Sequence, residues 1–187
     1  MKTLSKIYLK IIGWRIKGSF PKDLKKCVII AAPHTSMTDF LIGRAAFYMF
    51  GVKKINFLIK KEMFRFPLGG IIRAMGALPV DRSKSSNMLL SMTKMFREKE
   101  KVLLIITPEG TRKYSENWKR GFYHIAENAG VPIVLSYVNY GLKEGGIGPI
   151  IYPTGNYDED LKVIQEFYKD KIAKYPENFN LSARYRK

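Results

Sequence analysis

A chain of 187 residues, 46% hydrophobic and 13% aromatic, is long enough for one domain with a proper core and too apolar for a disordered segment. Its 33 Lys and Arg against 16 Asp and Glu leave a net charge of +17, which implies an anionic partner; nucleic acid and an anionic membrane both qualify. Cys27 is the only cysteine, which excludes a disulfide framework or a cysteine-rich metal site within the chain, and it reads as a small buried residue of a strand.

Residues 1–17 place Leu4, Ile7, Tyr8, Ile11 and Ile12 at i, i+3, i+4, i+7 and i+8, with Lys2, Lys6, Lys10 and Lys17 on the other side. That is the pattern of an amphipathic helix with a basic polar face. Trp14 lies near its end, a place suited to the lipid headgroup level, and Pro21 separates the helix from the rest of the chain. No apolar run approaches the about 18–20 residues that spanning a bilayer needs. The four lysines also interrupt any signal-peptide core. If this chain meets a membrane, it lies on it. The expected organisation is an interface helix over 1–20 and a main domain over 21–187.

Downstream, short apolar strands are expected at 27–32, 55–60, 77–80, 102–106 and 131–138, with a late one at 147–152 after a Gly145-Gly146 turn. Helices are expected at 39–50, 67–75, 86–100, 118–129 (ending at Gly130) and 157–173. The alternation predicts a single α/β domain with a largely parallel sheet flanked by helices. The tail 181–187 is polar and expected to fray.

Two segments carry chemistry. In Pro33-His34-Thr35-Ser36-Met37-Thr38-Asp39, an imidazole that titrates near neutrality suits removal of a hydroxyl proton during attack. A carboxylate on its far nitrogen would fix the tautomer and stabilise the imidazolium. Five residues along a helix is roughly 500°, so the pair needs a turn between its members. Pro33 disfavours helix before His34, and Ser36 or Thr38 can cap one that begins near Asp39. The plainer reading of Asp39 is a first-turn carboxylate favoured by the helix dipole. The other histidine, His124, reads as structural.

The second segment, Thr107-Pro108-Glu109-Gly110-Thr111-Arg112, follows the strand at 102–106, and ligands bind outside the carboxyl ends of strands in such sheets. Gly110 lets the backbone turn and present N–H groups to an anion. Arg112 can grip phosphate bidentately, and Glu109 can hold Arg112, a lysine or an acceptor hydroxyl. Arg82, in Val80-Asp81-Arg82, ends another short strand and can reach the same crevice. The strand at 131–138 has no chemistry of its own.

These segments, in this order over residues 27–136, resemble the glycerolipid acyltransferase family that includes the lysophosphatidic acid acyltransferases, in a compact bacterial form. The resemblance implies transfer of an acyl chain from acyl-CoA or acyl-carrier protein to a lysolipid hydroxyl, with no metal and no cofactor. It implies His34 and Asp39 as a catalytic dyad. It implies Glu109, Gly110, Thr111 and Arg112 as the acceptor-binding block, with Arg82 in a second block. Pro33, Thr107 and Lys113 depart from the residues usual in that family.

The acceptor expected from this is 1-acyl-sn-glycerol-3-phosphate, giving phosphatidic acid, with a lyso-aminolipid as the alternative. The setting expected is the cytoplasmic face of a bacterial inner membrane, where the protein is peripheral or monotopic on an anionic surface. Both substrates carry alkyl chains that are costly in water. The apolar stretch 63–78 is then a membrane-seated lobe, a wall of an acyl tunnel or plain core. A nucleic-acid binder is the rival reading, with Lys53-Lys54, Lys60-Lys61 and Lys119-Arg120 tracking phosphates. It has no recognised motif and leaves the dyad unexplained, so no nucleic acid is expected as a partner.

Overall fold

The computed structural model describes residues 1–65, 67–80 and 85–182. Among them the helices are α1 (Lys2–Ile11), α2 (Met37–Met49), α3 (Leu68–Ala74), α4 (Ser85–Glu98), α5 (Gly121–Ala129) and α6 (Tyr157–Tyr168). The strands are β1 (Arg15–Lys17), β2 (Lys26–Ala32), β3 (Asn56–Lys60), β4 (Ala77–Val80), β5 (Val102–Ile106), β6 (Ile133–Asn139) and β7 (Glu144–Ile151). They make one sheet in the order β1-β7-β6-β2-β5-β3-β4, parallel throughout except for the β6–β7 pair. This is the α/β domain with a largely parallel sheet that the alternation predicts.

β2 sits at the centre, and its pleat serves two cores. Val28, Ile30 and Ala32 belong with Phe96 of α4, Phe122 and Ile125 of α5, and Ile164 and Tyr168 of α6. Cys27 and Ile29 belong with Phe47 of α2, Leu103 and Val134. A strand buried on both faces has to be continuously apolar, as Cys27–Ala32 is. Burial pushes the Cys27 thiol up to about 12, so it acts as apolar packing. Tyr168, fully buried, donates its O–H to the Ser136 carbonyl at 3.0 Å and so ties α6 to the sheet.

The first helix differs from expectation. It ends at Ile11, and Arg15–Lys17 runs as an edge strand beside β7. The face turned to the protein is not the apolar stripe. Leu9 is 2% exposed and Ser5 is buried, whereas Leu4 and Ile11 are 66% and 78% exposed. At about 100° per residue, Ser5 and Leu9 lie between the stripe and the lysines. Trp14 is also not a headgroup anchor. It is buried with Leu9, Ile42, Ala45 and Val138 in a small separate core.

Two other boundaries moved for physical reasons. Gly145 and Gly146 lie inside β7 instead of forming a turn before it. A Cβ on Gly146 would sit 2.3 Å from the Lys17 carbonyl, so the close approach of β1 requires glycine there. The chain's end is held, as far as it is described: Ser182 is buried and donates to Asn117 Oδ1 at 3.0 Å, and Trp118 Nε1 donates to the Asn180 carbonyl at 2.9 Å.

Candidate active site

Parallel pairing of β2 with β5 brings the two chemistry-bearing loops to one sheet edge. Ile30 lies opposite Ile106, so the chain leaves β2 towards His34 and β5 towards Glu109 side by side. β6 flanks β2 on its other side, with Ala32 opposite Tyr137, and delivers the residues after Asn139 to the same edge. Consecutive connections here run to opposite sides of β2, which opens a crevice at the carboxyl ends.

The loop out of β2 passes through a cis Ala32–Pro33 peptide and enters α2 by a capping box. Ser36 is the N-cap, its hydroxyl accepts from the Thr38 N–H at 3.1 Å, and the Asp39 carboxylate reaches back to the Ser36 N–H. Oδ2 of Asp39 accepts from the Thr35 N–H at 2.8 Å and the Ser36 N–H at 2.7 Å, and stands 3.5 Å from His34 Nδ1. Oδ1 accepts from the Tyr140 O–H at 2.7 Å. Asp39 is therefore a first-turn cap that also faces the imidazole. Burial resists its ionisation. Hydrogen bonds from His34, Tyr140 and Ser36 outweigh that and hold its carboxyl below the ordinary range. The His34 side chain keeps about a fifth of its surface open, against 5% for Asp39. An accessible imidazole backed by a buried carboxylate is suited to general-base work.

Glu109 sits differently from its sequence reading. Its Oε1 accepts the His34 N–H at 3.0 Å, and its Oε2 has no hydrogen-bond partner. It is 3% exposed and contacts the His34 main chain, not Arg112. Burial drives its carboxyl up from 4.5 to about 7; its own main-chain N–H and that of His34 pull the other way, and the charge of Asp39 adds to the rise. Gly110 takes the left-handed conformation, φ +69°, and closes a tight turn with its N–H on the Thr107 carbonyl at 3.1 Å. Thr111 continues the bend, its hydroxyl accepting from the Lys113 N–H at 3.2 Å.

Beyond the dyad lies an open cleft of about 530 Å³ lined by Thr35, Ser36, Met37, Thr111, Arg112, Lys113 and Tyr175. Arg112 and Lys113 are exposed and supply cations to one wall. Lys174 Nζ donates to Thr38 Oγ1 at 2.8 Å, and the Tyr175 N–H donates to Thr35 Oγ1 at 3.2 Å, so the segment after α6 closes the opposite side. The structure thus gathers His34, Asp39, Glu109, Gly110, Thr111 and Arg112 at one edge. Arg82 lies outside the described residues. His124 is elsewhere, on α5, beside Glu127.

Tyr140, Lys174 and Tyr175 were missed in the sequence. Tyr140 had a usable signal, since it stands one residue past β6, at the same edge as the dyad. Lys174 and Tyr175 had none, because a loop after the last helix has no fixed register against the sheet.

The model for the acyltransferase family matches residues 15–139, two thirds of the chain. The protein belongs to the acyltransferase family. The fold of this acyltransferase is similar to the crystal structure of the 1-acyl-sn-glycerophosphate (LPA) acyltransferase PlsC from Thermotoga maritima. The TM-score is 0.62 at 19% identity, covering 89% of this chain and 74% of that one. No curated protein matches the sequence. Among the described residues no helix is long and apolar enough to cross a membrane.

The raised Glu109 carboxyl gives a stability test. A group that holds its proton more tightly when folded contributes stability fully present below its unfolded value, 4.5, and lost as pH rises through about 7. Glu109→Gln keeps an oxygen for the His34 N–H and removes the titration. Urea unfolding between about pH 5 and about pH 8 should show the parent losing up to roughly 3 kcal/mol more than the variant. Equal losses would mean that burial does not perturb this carboxyl.

Proposed function

We propose that this acyltransferase moves a fatty acyl chain from acyl-CoA or acyl-carrier protein to the free hydroxyl of a lysophospholipid, 1-acyl-sn-glycerol-3-phosphate, giving phosphatidic acid. The observation that carries the reading is an accessible imidazole, backed by a buried carboxylate, in the loop whose next residues, Thr35, Ser36 and Met37, line a cleft together with Arg112 and Lys113.

In this mechanism His34 Nε2 takes the proton of the acceptor hydroxyl as its oxygen attacks the thioester carbonyl carbon. Asp39 holds Nδ1–H and stabilises the imidazolium. Collapse of the tetrahedral intermediate breaks the C–S bond, and the leaving thiolate takes the proton from His34. Glu109 fixes the main chain under His34. The turn at Gly110 and Thr111 aims Arg112 at the acceptor phosphate, with Arg82 as a second cation. No step calls for a metal or a resident cofactor.

A phosphate acceptor is favoured by the planar, bidentate grip of a guanidinium. Kinetics on paired acceptors, one lysophosphatidic acid and one lyso-aminolipid, test it. Arg112→Ala should lower kcat/KM about 30-fold or more on the phosphate acceptor, with Arg112→Lys also impaired, and should change the aminolipid rate little. Equal losses on both acceptors would assign Arg112 a structural role and shift the reading to the aminolipid. His34→Ala should abolish turnover on either.

The same reading places the enzyme on the cytoplasmic face of a bacterial inner membrane, lying on the lipid surface. Its support is the outward stripe of Leu4, Ile7, Tyr8 and Ile11 on α1, flanked by lysines, together with exposed Met37 and Leu41 on α2. Met63, Ile71 and Met75 are exposed as well, in the stretch 63–78. Buried apolar groups and basic residues near anionic headgroups add to one another. Replacing Leu4, Ile7 and Ile11 together with Ser should weaken binding to anionic vesicles about tenfold or more without lowering the melting temperature. Unchanged flotation would exclude α1 as the contact.

A further inference from the structure

A carboxylate has two oxygens to satisfy, and in Asp39 they are loaded unequally. Oδ2 takes the Thr35 and Ser36 N–H groups and faces His34, while Oδ1 looks to Tyr140 at 2.7 Å. Tyr140 is itself held at three points. Its N–H donates to the Ile172 carbonyl at 2.8 Å. Its ring meets the edge of Trp14 with centroids 4.9 Å apart and planes at 84°. Tyr140 also borders the small core in which Trp14 and Leu9 anchor α1. The Trp14 main-chain N–H donates to the Leu9 carbonyl at 2.8 Å, and its indole packs in the same small core as Leu9, which seats the residue against the end of the helix.

We propose that Tyr140 is a positioning residue for the dyad: its O–H pins Oδ1 of Asp39 so that Oδ2 stays turned to His34, and Trp14 braces it against α1. The inference rests on the acyl-transfer reading above and adds a part to that site. The groups around Tyr140 fit a permanent donor. Burial, then its bond to Asp39, raises its phenol far above the ordinary range, and Tyr8 of α1 adds slightly to the rise. Thr38 and Asp39 face it from α2, and Lys174 reaches Thr38 from the segment after α6. The surface helix is thereby joined to the chemistry through three aromatic and carboxylate contacts: α1 to Trp14, Trp14 to Tyr140, Tyr140 to Asp39.

Tyr140→Phe keeps the ring and the Trp14 contact and removes only the donor. It should lower kcat roughly 5- to 30-fold with KM changed less than about twofold. Without that donor Oδ1 is released and Oδ2 is free to turn from His34, so the Asp39 charge stabilises the imidazolium less. In proton NMR of the full chain the His34 ring should therefore titrate at lower pH than in the parent, while His124 stays put. The acidic limb of kcat/KM should move the same way. Trp14→Leu should lower kcat about threefold or more in the parent and add nothing in the Tyr140→Phe background, since coupled residues are not additive.

A His34 titration that does not move downward, or a kcat within twofold of the parent, overturns the positioning role. Equal loss from Trp14→Leu in both backgrounds overturns the brace. If the parent transfers no acyl group to any lysolipid, the functional reading fails, and the NMR titration still decides the role of Tyr140.

Discussion

The Asp39 carboxylate is the interaction on which the site depends. A buried carboxylate is costly unless it is fully hydrogen-bonded. This one recruits two N–H groups from the loop after β2, the imidazole of His34 and the phenol after β6. The same contacts start α2, since Asp39 completes the capping box with Ser36. One side chain therefore sets where the helix begins, which way the loop folds and where the imidazole stands. The spacing of His34 and Asp39 reflects this. Three residues from the N-cap place a carboxylate under the loop's N–H groups, and two more back along the loop reach the base.

The sheet contributes the second constraint. His34 and Glu109 are 75 positions apart, and only the parallel pairing of β2 with β5 makes them neighbours. Glu109 then clamps the two loops together through the His34 N–H. Its unpartnered oxygen and raised titration mark the cost of burying an acid there. Tyr168, tying α6 to β2 and β6 beneath, gives that edge a rigid floor. The cleft cations stand outside this floor, exposed, where an incoming anion can reach them.

Most of the architecture was legible because its signals are local. Short apolar strands alternate with longer periodic stretches, and Lys26–Ala32, Val102–Ile106 and Gly121–Ala129 lie close to where the pattern puts them. The dyad and the Gly110 turn were legible for the same reason. What escaped the sequence depends on contacts between distant segments. Periodicity shows that α1 is two-faced, but not that Leu9 docks while Leu4 and Ile11 face out. Trp14 reads as an interfacial indole until β1 is seen pairing with β7, which draws it into the core. Glu109 reads as a partner for Arg112, a lysine or an acceptor hydroxyl, and its bond to the His34 N–H shows only when β5 is laid beside β2. Tyr140 reads as a loop tyrosine until β6 is placed against β2.

Substitution of Asp39 itself is the most direct test that one carboxylate organises the chemistry. Asp39→Asn keeps the size and an acceptor oxygen for the loop N–H groups, and removes the charge that stabilises the imidazolium. With purified enzyme, a thioester donor and a lysophosphatidic acid acceptor, kcat should fall about 10²- to 10⁴-fold while the acceptor KM changes little. Turnover within a few-fold of the parent, in a protein that is folded, would contradict the account.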